Sequence, residues 1–186
     1  MTLINRTYFY LGSVALAAFA PLLSAETLSG RYIVELNTEP VAEHVARLSV
    51  VGVPDRPGIA AAIFAPLAEA DIAADVIVQT ASHEGVTDMS FTVSSGDGKQ
   101  AERILQGVAQ QIGARTVLAQ NGLAKVSVIG SGIRGQPGVA ATMFRTLSDH
   151  GINIEMISTS EVRITCIIDA KRVKDAVAAL HEAFKL

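Results

Sequence analysis

The chain has one cysteine, so Cys166 closes no disulfide within it. Its apolar, alternating surroundings argue for a small buried side chain and against a nucleophile. An excess of charge of one sign is also missing. With 15 basic and 18 acidic residues, a net charge of -3 and no long run of either sign, nothing in the sequence supplies a basic face for nucleic acid or an acidic membrane. The four histidines, His44, His83, His150 and His181, fall on separate elements without metal-ligand spacing, and none makes a nucleophilic dyad with Cys166. The apolar stretch of residues 8–19 is too short for a stable membrane span.

What is present is apolar: 49% of the 186 residues are hydrophobic, enough to bury one core or two small ones. The first 25 residues place Arg6 before that apolar stretch, then Pro21 and small residues up to Ala25, the layout of a secretory signal peptide. Leu23 stands where such a signal prefers a small residue. Residues 26–46 read as a linker, and within it the alternation of Arg31-Tyr-Ile-Val-Glu-Leu36 predicts a strand over 31–36.

An internal repeat organises the rest. Leu48-Ser49-Val50-Val51-Gly52 matches Val126-Ser127-Val128-Ile129-Gly130, each an apolar strand ending in glycine. Pro57-Gly58-Ile59-Ala60-Ala61, with Phe64 and Leu67 beyond, recurs eighty residues on as Pro137-Gly138-Val139-Ala140-Ala141, with Phe144 and Leu147 beyond. Each Pro-Gly pair is expected to open a helix with proline in its first turn. Apolar positions 59, 63, 64 and 67, and likewise 139, 143, 144 and 147, would line one face of that helix. The same spacing is expected to carry into two strands, residues 72–78 and 89–93 in the first copy and 152–157 and 163–168 in the second. A helix closes each copy, over 99–113 and 171–184.

The order is β-α-β-β-α twice, an α+β pattern, and Arg115-Thr-Val-Leu118 supplies the last strand of a ferredoxin-like βαββαβ unit in the first copy. The second copy has no such strand after its final helix. The strand at 31–36 is expected to fill that place, giving domains over 47–120 and over 121–186 plus 31–36.

The turn before each helix suits a free amino acid. A helix N-terminus offers unpaired amides to a carboxylate, Gly58 lets a ligand approach the backbone, and Asp55 can accept from an ammonium. Asp and Asn also favour turns for local reasons, so Asp55 and Asn153 read equally as braces of their own loops, and Arg56 and Glu155 as solvated surface.

Residues 47–186 resemble the paired ACT domains of aspartokinase. The resemblance rests on Val51-Gly-Val-Pro-Asp-Arg-Pro-Gly-Ile-Ala60, Val76-Ile-Val-Gln79, Thr87-Asp-Met-Ser-Phe-Thr92, Ile152-Asn-Ile-Glu-Met-Ile-Ser-Thr-Ser-Glu161 and Ala179-Leu-His-Glu-Ala-Phe184. It implies a regulatory module for aspartate-family biosynthesis that binds threonine or lysine and inhibits a kinase, some members being made as a separate beta subunit. It implies a homodimer, a cytoplasmic location unless residues 1–25 act as a signal, and a catalytic subunit as partner. No cofactor or metal is implied. Around the first turn it marks Asp55, Gly58, Ile59 and Ala60 as effector-binding. It places Gln79, Thr87 and Asp88 near the same site, with Asn153, Ile154 and Ser160 completing a pocket from the second repeat. The kinase lobe and its phosphate-binding lysine are absent from these residues, so catalysis is not expected of them. An exported or fused interaction protein without a kinase partner is the alternative that the first 45 residues raise.

Two rival motifs fail on context. Gly130-Ser-Gly132-Ile-Arg-Gly135, with Glu155 beyond, has the spacing of a dinucleotide fingerprint. Pro137 would fall inside the helix that such a fold requires, and too little chain follows Glu155 to complete it. Gln136 stands where a P-loop needs lysine.

Overall fold

The computed structural model describes residues 32–36, 44–82, 84–130, 133 and 138–185. The signal-like segment 1–25 and Pro137 lie outside them. Seven strands and four helices follow in the order β1 (Tyr32–Leu36), β2 (His44–Pro54), α1 (Ile59–Glu69), β3 (Ala74–Gln79), β4 (Val86–Ser94), α2 (Gly98–Ile112), β5 (Thr116–Gly130), α3 (Val139–Asp149), β6 (Met156–Thr159), β7 (Arg163–Asp169) and α4 (Val173–Phe184). No helix among the described residues is long and apolar enough to cross a membrane. The chain divides into two compact units, Glu43–Lys125 and a second comprising Val126–Leu186 with the preceding β1.

In the first unit the strands run β3-β4-β2-β5, all antiparallel. Alternation in β2 sends Ala46, Leu48 and Val50 to one face, where they meet Met89, Phe91 and Val93 of β4. The helices close that face with residues three and four apart: Ile59, Ile63 and Leu67 from α1, and Ala101, Leu105, Val108 and Ala109 from α2. Phe64 tilts against Phe91 with ring centroids 4.8 Å apart. The opposite face is polar. It carries the Ser49 and Ser90 hydroxyl pair at 2.8 Å, the Arg47 bond to Gln120, and the ion pair of buried Lys125 with Asp75.

The second unit repeats this plan. α3 buries Val139, Met143 and Leu147, and α4 buries Val173, Ala176, Ala179 and Leu180. Its strand order is β1-β5-β7-β6, with the second half of β5 in the role that β2 has in the first unit. Ser127 and Thr165 form a buried hydroxyl pair at 2.8 Å that matches Ser49 and Ser90. The missing strand is β1, which runs antiparallel to Val126–Gly130 from Leu36↔Val126 to Tyr32↔Gly130. A segment preceding the first repeat thus completes the sheet of the second, because a main-chain edge left bare inside a fold leaves its amides and carbonyls unmatched.

Three expectations change in detail. The closing strand of the first copy and the opening strand of the second are one strand of 15 residues, β5. Pro57 lies before the helix and not in its first turn, because the N-cap is Gly58 at φ 90, a left-handed conformation that only glycine adopts without strain. Gly138 caps α3 the same way, at φ 109. The spacing of eighty holds for α3 and β6 but breaks at β7. Gln79 pairs with Met89 whereas Thr159 pairs with Ile164, so the hairpin between β6 and β7 is shorter than that between β3 and β4.

Phe91, fully buried beneath both helices, is expected to lose about 3–5 kcal/mol of stability as Phe91→Ala, read by urea unfolding. Removing residues 1–43 should accelerate amide exchange across Val126–Gly130 while leaving the Leu48 and Phe91 amides of the other unit protected.

Candidate functional site

In the first unit the loop between β2 and α1 is shaped by a bulge. Val50 pairs with Met89, but the next pairs are Val53 with Thr87 and Pro54 with Val86, so β2 carries one residue more than β4. Gly52 sits there at φ 67, and a Cβ on it would come within 2.8 Å of the Arg115 Cβ. Its amide donates to the Asp88 carboxylate at 2.8 Å. Beyond the bulge the Asp55 amide donates to the Gly85 carbonyl at 2.9 Å, which ties the loop to the hairpin that joins β3 and β4. The chain then turns through Gly58 into α1, whose N-terminus has no side-chain cap. That combination leaves a helix start with amides available to an anion and a carboxylate, Asp55, exposed on the same loop.

The remaining candidates of this unit surround the same turn unequally. Ala60 is exposed on α1, whereas the Ile59 side chain is part of the core and its amide donates to the Arg56 carbonyl at 3.3 Å. Gln79 is exposed at the end of β3. Thr87 is 2% exposed, and its hydroxyl donates to the Thr80 carbonyl at 2.7 Å. The Thr80 hydroxyl in turn accepts from the Asp88 amide at 2.9 Å. Thr80, Gly52 and Gly85 were not among the candidates. Gly52 was visible as the glycine ending the repeated strand, but nothing in its neighbours signals a partner 36 residues away.

In the second unit Asn153 and Ile154 follow α3 and line an open cavity of about 440 Å³ with Phe144, Ser148, Gly151 and Ile152. The Asn153 amide group donates to the Glu155 carboxylate at 3.1 Å, so it also braces its own loop. Ser160 is not a wall of this cavity. It stands in the β6–β7 hairpin, where its amide donates to the Arg163 carbonyl at 2.7 Å. Phe144 and Gly151 were legible in outline, since Phe144 repeats Phe64 and Gly151 repeats the left-handed Asp71 after α1. A second hollow, of about 330 Å³, lies on the polar sheet face of the first unit between Arg47, Ser49, Leu118, Ala119 and Gln120 and holds none of the candidates.

No group of three His, Cys, Asp or Glu side chains among the described residues is placed to hold a metal ion. Cys166 is fully buried, 4.0 Å from the Met143 sulfur, and burial pushes its thiol from the ordinary 9.0 up to about 12. A thiol held neutral in the fold but free to ionise when unfolded makes stability fall as pH rises from about 9 towards 12, at no more than about 1.4 kcal/mol per pH unit. Cys166→Ala should remove that share of the alkaline slope, measured by urea unfolding between pH 8 and 10.5.

Residues 48–108 and 126–184 match the model of the ACT domain. The chain is 48% identical over 141 residues to an aspartate kinase of Pseudomonas fluorescens, covering 76% of this chain and 34% of that enzyme. It is 43% identical over 143 residues to an aspartokinase of Mycobacterium tuberculosis, with the same coverage. It thus spans about a third of the length of these relatives. Among solved structures it is similar to one of aspartokinase alpha and beta subunits, at 43% identity and a TM-score of 0.71, covering 83% of this chain and 97% of that one. It is equally similar to the ligand-free regulatory subunit of aspartate kinase from Thermus thermophilus, at 38% identity and a TM-score of 0.71, covering 82% and 96%. These 186 residues hold the regulatory region of such enzymes and not their catalytic domain, and the chain belongs to the ACT-domain family as a tandem regulatory pair of the aspartokinase type.

Proposed function

We propose that this pair senses threonine, lysine or both and inhibits an aspartate kinase, closing a feedback loop in the synthesis of aspartate-derived amino acids. The observation that carries the reading is the uncapped, glycine-turned start of α1 with Asp55 exposed before it. A carboxylate fits the helix start at the Ala60 amide, the Ile59 amide being turned to the Arg56 carbonyl at 3.3 Å, and Gly58 leaves open space for it, with nothing within 4 Å of where a Cβ would stand. Asp55 takes the ammonium, and Gln79, Thr87 and Asp88 border the turn from β3 and β4. Asn153, Ile154 and Ser160 are contributed by the second unit, the first two on a cavity large enough for an amino acid.

Two edges support a homodimer. β3 and β6 each end the strand order of their unit, and each presents an exposed isoleucine at the matching position, Ile77 at 52% and Ile157 at 43%. Apolar edge strands of this kind require cover, and a second copy of the same edge supplies it. Regulation follows if the amino acid binds one arrangement of the pair more tightly than another, and a coupling of about 1–3 kcal/mol is ordinary for such a site. The kinase that responds is cytoplasmic, as either a separate subunit or an attached domain.

The test is thermal unfolding of residues 26–186 with threonine, lysine, both together, and leucine as control. A ligand that binds only the folded state adds about 2.7 kcal/mol at a hundred times its Kd, so the effector should raise the midpoint in a saturable way. Asp55→Ala should abolish the rise without lowering the unliganded stability by more than about 0.5 kcal/mol, the range of an exposed substitution. A folded protein unmoved by both amino acids at millimolar concentration refutes the reading.

A further inference from the structure

We propose that Asp88 is a positioning residue, which sets the ligand-binding turn by holding the Gly52 bulge instead of pairing with the amino acid itself. This inference rests on the reading of the turn at residues 55–60 as the binding site. It starts from the bond between the Gly52 amide and Asp88 Oδ1 at 2.8 Å. At an ordinary ladder position that amide would find a carbonyl on β4, but the extra residue in β2 removes its partner. The carboxylate takes that place, and its own position is fixed by the neck of the hairpin. The Thr80 amide donates to the Asp88 carbonyl at 3.0 Å, and the Asp88 amide donates to the Thr80 hydroxyl at 2.9 Å. Asp88 thus joins the hydrogen-bonded two-strand neck to Gly52, the residue at which β2 is redirected towards Asp55 and Gly58.

The other repeat shows that a carboxylate is not needed merely to satisfy such an amide. Gly130, the counterpart of Gly52, donates to the Val162 carbonyl at 3.0 Å, and Arg163 occupies the strand position that Asp88 has in the first unit. The shorter hairpin there brings a main-chain acceptor into reach. In the first unit the longer hairpin instead extends as far as Gly85, whose carbonyl takes the Asp55 amide at 2.9 Å. Asp88 and Gly85 therefore fasten the turn at two points, one on each side of Pro54, and the candidate ammonium acceptor Asp55 is carried on the second. Displacing the first point tilts the second, so a residue that does not pair with the ligand controls where Asp55 and the helix amides converge.

The two substitutions Asp88→Asn and Asp88→Ala separate positioning from direct pairing. Asparagine keeps an oxygen acceptor for Gly52 but no charge for an ammonium, whereas alanine removes both. Titration calorimetry with threonine and lysine should find Asp88→Asn within about threefold of the parent Kd and Asp88→Ala weaker by about tenfold or more, as expected for losing a bond to a charged group. Amide exchange at Gly52 should be fast in Asp88→Ala and remain slow in Asp88→Asn. Val93→Ala, a core substitution elsewhere on the same sheet, controls for general loss of stability and should leave Kd within about twofold. An asparagine variant as weak as the alanine variant overturns the proposal in favour of charge pairing, and two variants that bind like the parent overturn it outright. If the parent binds neither amino acid, the binding site is wrong. The exchange at Gly52 then decides whether Asp88 holds the bulge, and unchanged exchange in Asp88→Ala refutes it.

Discussion

The pairing of Tyr32–Leu36 with Val126–Gly130 is the contact on which the rest of the chain's organisation depends. Among the described residues the second repeat has three strands of its own, and two helices over three strands leave the outer side of β5 with unmatched main-chain groups. Borrowing a strand from before the first repeat repairs that edge. It also makes the unit of Glu43–Lys125 an insertion in sequence between two parts of the other. A pair that looks tandem in sequence is therefore nested in its fold, and the first unit cannot be moved or lost without affecting the loop that the second must close.

The two units solve the same local problems with different chemistry. Both start their first helix from a left-handed glycine, both join neighbouring strands by a hydroxyl pair, and both follow that helix with a residue at positive φ, Asp71 in one and Gly151 in the other. They part at the hairpin. A longer connection in the first unit gives the binding turn a carboxylate and a carbonyl as fastenings, while the shorter one in the second offers main chain alone. The open cavity appears in the second unit after α3, and the exposed acidic turn in the first before α1. Duplication here has preserved the frame and let the polar details diverge.

Much of this was legible in the sequence because it rests on periodicity. Ile59, Ile63 and Leu67, with Val139, Met143 and Leu147, announce buried helix faces, and the alternation of residues 31–36 announces a strand in need of a partner. The ferredoxin-like order follows from the same signals, whereas the ACT resemblance rests on particular stretches such as Val51-Gly-Val-Pro-Asp-Arg-Pro-Gly-Ile-Ala60. The illegible parts depend on register and on bonds between distant residues. Nothing local in Gly52 or Asp88 shows that the amide of the first donates a hydrogen bond to the carboxylate of the second, and Thr87 reads as a ligand contact until its hydroxyl is seen to be buried against Thr80. Pro57 read as a first-turn proline because propensity favours it there, whereas Gly58 fixes the helix start one residue later. The fusion of two expected strands into β5 escaped for a similar reason, since the irregularity at Asn121 and Gly122, where Gly122 has φ 74, is a bulge within one strand and does not end it.

The nested order also has a kinetic side. Joining β1 to Val126–Gly130 closes a long loop, and for a disordered chain the entropy of closure grows with the logarithm of the residues enclosed. The enclosed residues are those of the first unit, whose strand pairings and helices are complete without anything beyond Lys125. Once that unit has condensed, the ends at Glu43 and Lys125 are held beside one another, His44 being paired with Ala124, and the long loop has shrunk to a short one. With that unit condensed, the strand that is synthesised first has only a short loop to close to reach a partner that is synthesised later.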